Sequence, residues 1–548
     1  MKKYLKIFSV FLVAGMIFSA CSESGLVGPD GPDGPDDGNG TGEGAWITFA
    51  FDLNGSSTKA AESGTSGEQL IDSLLVLLYD ATSPYQFKYA IPIRATNHNN
   101  GTLNGSFVPS PTSPNDTILG GSTSSSVQTK ATRIKRQDYL MVVVANQAPA
   151  LSTTLWGTQY ANLTSASTTG FLTYDKVAGA NSTLANNLLF SGLNGSGVNP
   201  NASASRKSIL MSNAQGPITI PQASLAASKA AAESAPVNVV LDRSVAKLDA
   251  KIAATQNKYT QESYEFTPSQ FKWAMNVINK KTYLVREPVG SEAGLTRQDW
   301  YAKDPNYDNA SRQRNPSITQ AAYDANFITN TDVTALGLLP SAGGTYLTST
   351  PDENSVYYVT ENTASAEDHW GDVLTNAVFQ AKVTGAKTGM APAEVPVPDA
   401  EYYSFDGYYI SKADMQRFHQ YPDSVGHWVD FAKAPALSSL SDSIVKAKGA
   451  PTSWVYNPNP GAAFMYHGIN FHKDGINYYN MVIRHEAANN PDSKGVLRNN
   501  IYHIEVTGIT RLGTALPTVP VGPQTESGWL SANISINQWW ARTQSGDL

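Results

Sequence analysis

The chain has 548 residues, a net charge of −7 and only 16% charged residues, with no basic stripe to neutralise phosphates, which excludes a nucleic-acid binder. Its single cysteine, Cys21, excludes intramolecular disulfides and Cys-based zinc sites, so an exported form must be held together by its core. The length is ample for two or three domains.

In chain order, Lys2, Lys3 and Lys6 precede an apolar run from Ile7 to Ala20. That run is shorter than the ~20 residues a helix needs to span a bilayer, and it ends in small residues, so it reads as a secretory signal. Phe18-Ser19-Ala20-Cys21 resembles a bacterial lipobox, with Phe18 where Leu is usual. Cleavage after residue 20 would leave Cys21 as a lipid-bearing N-terminus; the alternative is an ordinary signal peptide with an incidental cysteine. Residues 21–44 carry three Gly-Pro-Asp triplets and almost no apolar side chains, the composition of a flexible acidic tether.

Beyond the tether, period-two alternation predicts a mainly β protein. Ile47, Phe49, Phe51 and Leu53 fall on one face of a first strand. The stretches at 73–81 and 139–147 are almost wholly apolar, as in strands buried on both faces. Further strands are predicted at 237–254, 271–287, 377–385 and 476–485. Residues 500–509 alternate with Tyr502, Ile504 and Val506 inward and His503, Glu505 and Thr507 outward. The last strand places Ile534, Ile536 and Trp540 on one side and Trp539 on the other. Short helices are expected at 225–234, 411–420 and 437–449. A domain boundary is expected near 240–250, where an Ala/Ser-rich stretch gives way to a long strand.

Motifs for chemistry are mostly missing. The chain has no Walker A loop and no GxSxG elbow. His485-Glu486-Ala487-Ala488-Asn489 has half of a zinc-protease motif, with Asn489 where the second imidazole is required. His467, His472, His485 and His503 crowd one region, but dispersed histidines on a sheet are commoner than a metal site. The aromatic run at 401–409 offers either a sugar-stacking platform or cross-strand packing, and packing is the commoner use. No enzyme, metal or cofactor is expected.

Several stretches together resemble the fimbrillins of Bacteroidales type V pili, particularly the major subunit of short (Mfa-type) fimbriae. The residues that carry the likeness are GVLRNNIYHIEVTGITRLG at 495–513 and the ending ISINQWWARTQSGDL. With them go LDRSVAKLDAKI at 241–252, FKWAMNVINKKTYLVRE at 271–287 and YLMVVVAN at 139–146. The resemblance implies two β-sandwich (transthyretin-like) domains, here 45–245 and 246–548, with a few short helices. It also implies a lipoprotein precursor with signal peptide 1–20, held at the outer membrane through Cys21, whose N-terminal segment a trypsin-like protease removes at the cell surface. A C-terminal strand of a neighbouring subunit then fills the vacated groove by strand addition. That contact is head-to-tail and does not close on itself, so it yields a filament, the fimbria, supporting adhesion and biofilm formation.

Mapped onto this chain, the removable strand holds Ile47, Phe49, Phe51 and Leu53. The expected cut falls between Lys59 and Ala60 in a stretch of small polar residues. The best-known relatives carry Arg at this step, so the protease here must accept Lys. Arg133 and Arg136 are alternatives, but they lead into an apolar strand. The donor strand is 531–543, with Ile534, Ile536, Trp539 and Trp540. A terminal strand that remains in its own sandwich is the alternative. The implied partners are identical or related fimbrial subunits, the maturation protease, and a host or bacterial surface receptor. A surface glycan-binding lipoprotein, or an anchor or accessory fimbrial subunit, is the rival reading.

Overall fold

The computed structural model describes residues 44–52, 61–63, 73–82, 87–94, 118–119, 126–129, 131–145, 190–191, 208–214, 217–252, 258–261, 264–279, 282, 286–288, 302–304, 307, 326–328, 356–363, 373–387, 401–411, 463–466, 469–485, 495–517 and 530–540. Cys21, the tether, Leu53, Lys59, Ala60, His467, residues 541–543 and most of the two later predicted helices lie outside these described residues.

The N-terminal half begins with β1 (Gly44–Ile47) and β2 (Phe49–Asp52), one strand interrupted at Thr48. After β3 (Ala61–Ser63), the apolar segments β4 (Ser73–Asp80) and β5 (Phe87–Arg94) pair antiparallel. Next come β6 (Ser126–Thr129), β7 (Thr132–Lys135) and β8 (Tyr139–Ala145), the last buried at every residue as its unbroken apolar run predicts. β9 (Met211–Asn213), the short helix α1 (Lys229–Ser234) and β10 (Val237–Arg243) complete this half. The helix is shorter than its Ala-rich sequence predicts because Ser228 caps it, its side chain accepting from the Ala231 N–H at 3.2 Å.

A nine-stranded sheet runs β5-β4-β8-β9-β10-β2-β6, with 118–119 at one edge and 218–220 paired to β8. β1 pairs instead with β7 in a separate two-stranded sheet, so the strand 44–52 changes sheets at Thr48. Between these layers lies one apolar core built from alternate residues, including Ile47, Phe49, Phe51, Val76, Met141, Val143, Val239 and Leu241.

The second half starts with β11 (Val245–Ile252), separated from β10 by Ser244 alone. Its main strands are β12 (Tyr264–Asn276), β13 (Val356–Thr360), β14 (Asn376–Lys387), β15 (Tyr402–Phe405) and β16 (Tyr408–Ile410). β17 (Ile469–His472), β18 (Ile476–Val482), β19 (Asn500–Ile509) and β20 (Leu530–Trp540) follow. One sheet has the order β13-β11-β19-β20-β3, a second packs β12, β14 and β18 beside 259–261, and a third is β16-β15-β17 with 464–466. The second large core lies among them, with Trp273, Phe379, Tyr402, Tyr502, Ile504 and Val506. The burial alternation of β19 agrees with the sequence, Tyr502, Ile504 and Val506 being buried and His503, Glu505 and Thr507 partly exposed. The first core ends at Leu241 and the second begins at Ala246. The fold is therefore mainly β, with curled sheets packed as sandwiches.

Candidate assembly interface

The first strand is embedded on both edges. On one side β1 runs antiparallel to β7, with Ile47 opposite Thr132, and β2 antiparallel to β6, with Ala50 opposite Gln128. On the other side β2 runs parallel to β10, with Phe49 beside Val237 and Phe51 beside Val239. Trp46 exchanges two backbone bonds with Ala226, at 2.8 and 3.0 Å, and the Val237 N–H donates to the Thr48 carbonyl at 2.7 Å. At the crossover the Phe49 N–H donates to the buried hydroxyl of Thr129 at 3.0 Å.

The apolar side chains of this strand form part of the core. Ala45 is 0% exposed, Phe49 1%, and Ile47 and Phe51 2% each. Fully burying Ile47, Phe49 and Phe51 is worth roughly 2 kcal/mol apiece. Taking the strand away would leave an apolar trough flanked by unpaired backbone groups of β6, β7 and β10, a state that water does not tolerate cheaply.

At the other end of the chain, β20 lies antiparallel along β19, with Ile534 opposite Ile504, Ile536 opposite Tyr502 and Trp539 and Trp540 beyond this ladder. Among the described residues, its outer edge is covered by β3, parallel, with Ala61 beside Gln538 and Ser63 beside Trp540. The segment just past the expected cut thus touches the expected donor. Of the two alternative cut sites, one lies in a strand and the other in the turn between β7 and β8. Arg133 sits within β7 opposite Trp46, and Arg136 donates to the Gln222 carbonyl at 3.4 Å.

Between the two ends the sequence motifs flagged above converge on a buried ionic joint at the passage from β10 to β11. The Asn499 amide clamps β10: its Nδ2 donates to Asp242 Oδ1 at 2.9 Å, and its Oδ1 accepts from the backbone N–H and guanidinium of Arg243. The Asn499 N–H donates to the Val245 carbonyl, and the residue sits at φ +58°, a conformation Asn tolerates better than most. Arg498 pairs with Glu361 at 3.3 Å, both fully buried, and donates to Thr282 at 3.0 Å. Arg286 pairs with Asp242 at 3.4 Å and donates to the Arg498 carbonyl. Burial raises the pKa of Asp242, and the guanidiniums of Arg286, Arg498 and Arg243 oppose that rise. The Arg-Asn-Asn and Leu-Asp-Arg-Ser patterns and Arg286 all lie in stretches that carry the family resemblance, which gives them no role; Glu361, far away in sequence, carries no signal of its own.

The residues considered for chemistry go elsewhere. The three described histidines of the crowded region have separate partners: His472 bonds Ser404 Oγ at 2.8 Å and the Ile476 carbonyl at 2.9 Å, His485 bonds the Tyr502 hydroxyl at 2.7 Å, and His503 pairs with Asp249 at 2.8 Å. Among the described residues no cluster of metal-ligating side chains forms. The Ser404–His472 pair is wholly buried, and burial depresses the histidine to a pKa of about 4. In the aromatic run, Tyr402, Tyr403 and Phe405 are buried, and Arg511 lies over the Tyr408 ring at 5.0 Å, so the run is packing.

The fold is that of a β-sandwich protein with an embedded first strand and a long C-terminal strand beside its second core. Residues 470–545, which include β18, β19 and β20, match the family model described as major fimbrial subunit protein type IV, fimbrillin, C-terminal. The C-terminal region is therefore that of a fimbrillin, as its sequence resemblance implied. Solved structures similar to the chain include a candidate cell adhesion protein from Parabacteroides distasonis (12% identity, TM-score 0.39, covering 91% of this chain and 100% of that one). A fimbrilin from Porphyromonas gingivalis (13%, 0.33, covering 91% and 98%) is another. So is the tip fimbrial protein Mfa3 from Porphyromonas gingivalis with C-terminal truncation (12%, 0.32, covering 90% and 100%). No curated protein sequence matches the chain.

Proposed function

We propose that this protein is a stalk subunit of a cell-surface fimbria, exported as a precursor lipidated at Cys21, matured by cleavage between Lys59 and Ala60, and polymerised by strand exchange. The observation that carries this reading is the strand 44–52, whose apolar residues are buried in the N-terminal core and whose two edges are both paired, although it lies upstream of the exposed-type sequence at Lys59. Two or three lipid chains would hold the precursor at the outer membrane. Cleavage releases Cys21, the tether and the strand together. The open groove then accepts the terminal strand of the next subunit, and the head-to-tail repetition builds a filament that displays the subunit for adhesion. The role is structural and requires no cofactor.

Deleting residues 531–548 tests this. The expected result is loss of the ladder of oligomers on gels run after mild heating in detergent, with a folded monomer still secreted. An unchanged ladder overturns the proposal and returns the terminal strand to a purely internal role.

A further inference from the structure

The groove specifies which residues can replace the lost strand, and in which direction. Along Ala45-Trp46-Ile47-Thr48-Phe49 the residues Ala45, Ile47, Thr48 and Phe49 are all buried, whereas Trp46 and Ala50 are partly exposed. Ala45 is 0% exposed within the core, so a larger side chain in its place would have to displace its neighbours. Thr48, 1% exposed, marks the change of sheets, and a larger side chain at this buried position would have to displace its neighbours. The terminal strand contains the same series at the same spacing: Ala532-Asn533-Ile534-Ser535-Ile536. Its polar residues Asn533 and Asn537 fall where the groove is open, at the places of Trp46 and Ala50.

We infer that the neighbour's strand enters the groove in the same direction as the strand it replaces, with Ala532, Ile534, Ser535 and Ile536 taking the positions of Ala45, Ile47, Thr48 and Phe49. The inference rests on the strand-exchange reading above and fixes its register. No proline occurs in 530–540, so every residue supplies the N–H that both groove walls need, including the one that Ile536 donates to Thr129 in place of Phe49. The parallel ladder to β10 is preserved. Because Ile534-Ser535-Ile536 reads alike in both directions, the reverse orientation needs separate exclusion. It would put Gln538 in the buried place of Ala45 and leave Ala532 in the space of Phe51, combining overpacking with a void. The forward register has one imperfect position, Gln538 for the buried Phe51, one residue from the end of β2, where its amide must reach a polar partner.

Among the described residues, the place on β19 covers the strand's outer edge at 61–63, whereas the groove pairs both edges of β2 and, through β7 and the Trp46–Ala226 bridge, both sides of β1. Exchange closes the trough left by the first strand, at the cost of uncovering the edge of β19.

Cleavage after Lys59 removes the only cysteine, so mature subunits accept cysteine pairs without background. Directly opposed residues of antiparallel strands have Cβ atoms roughly 4.5–5.5 Å apart, within reach of a short bis-alkylating cross-linker. Filaments of Gln128→Cys/Asn537→Cys subunits should give a covalent ladder that survives boiling, because Ala50 lies opposite Gln128 and Asn537 replaces it. Arg133→Cys/Asn533→Cys should do the same at the other half of the strand, opposite Trp46. A ladder from Gln128→Cys/Asn533→Cys instead would show the reverse direction, and one from Gln128→Cys/Ser535→Cys a slip of two residues; either overturns the inference. Filaments that form without cross-linking in either forward pair also overturn it. Ala532→Phe provides a readout independent of cross-linking: the forward register predicts loss of assembly, the reverse predicts that it is kept. Loss of the exchange reading itself shows separately, as ladders that persist without residues 531–548.

Discussion

Phe49 belongs to the precursor's core but, on this account, not to the filament's. Its ring is 1% exposed and stacks on Phe51 with centroids 6.1 Å apart, amid Ile134, Val239 and Leu241 of the same core. Replacing a fully buried Phe by Ala costs about 3–5 kcal/mol, a large share of the ~5–15 kcal/mol by which a typical domain is stable. The Phe49→Ala precursor should therefore unfold at markedly lower urea, followed by near-ultraviolet circular dichroism. Filaments grown from the same gene should dissociate in detergent at the wild-type temperature, because residue 49 has been cut away. Val143→Ala in β8, a position retained in the mature subunit and 0% exposed, serves as the control and should weaken precursor and filament alike. Filaments of Phe49→Ala that weaken in step with their precursor would refute the reasoning, as would a precursor that is unaffected.

The ionic joint makes a second prediction: Arg498→Met strands the buried Glu361 and should lower stability by about 3–5 kcal/mol in urea unfolding, while the double replacement Arg498→Met/Glu361→Leu recovers most of the loss. A double variant no better than the single would contradict that account. For pH, His472 is held neutral in the fold with a pKa of about 4, against 6.5 when free. Between those values the unfolded chain binds a proton that the folded site refuses, so stability contributed above pH 6.5 is lost as pH falls toward 4, by about 3 kcal/mol in all. Urea titrations at pH 7, 5 and 4 should show this slope in the wild type and a shallower one in His472→Asn.

The alternation that marks strands was legible in the sequence wherever one face is buried. Ile47, Phe49 and Phe51, the fully apolar β8 and the inward series Tyr502, Ile504 and Val506 were read this way and lie as expected. Period two identifies a face and not a neighbour, and this is why the partners of these strands were not legible. Nothing local to 49–52 announces a parallel ladder with 237–240, and nothing near Thr48 announces a change of sheet. The pairing of β3 with β20 joins residues from opposite ends of the chain through three backbone positions, too few to leave a pattern. The ionic joint was barely legible. Arg498, Asn499 and Asn500 figured only within the stretch that carries the family resemblance, and burial of Glu361 and Arg286 beside them depends on tertiary packing that no local spacing encodes.

The central claim is that maturation removes the first strand and leaves its groove to a neighbour. The most direct measurement is the N-terminal residue of the subunit in filaments sheared from the cell surface. The account predicts Ala60, with Cys21 and residues 44–52 absent from the filament. A lipidated Cys21 at the head of an uncut chain would contradict it.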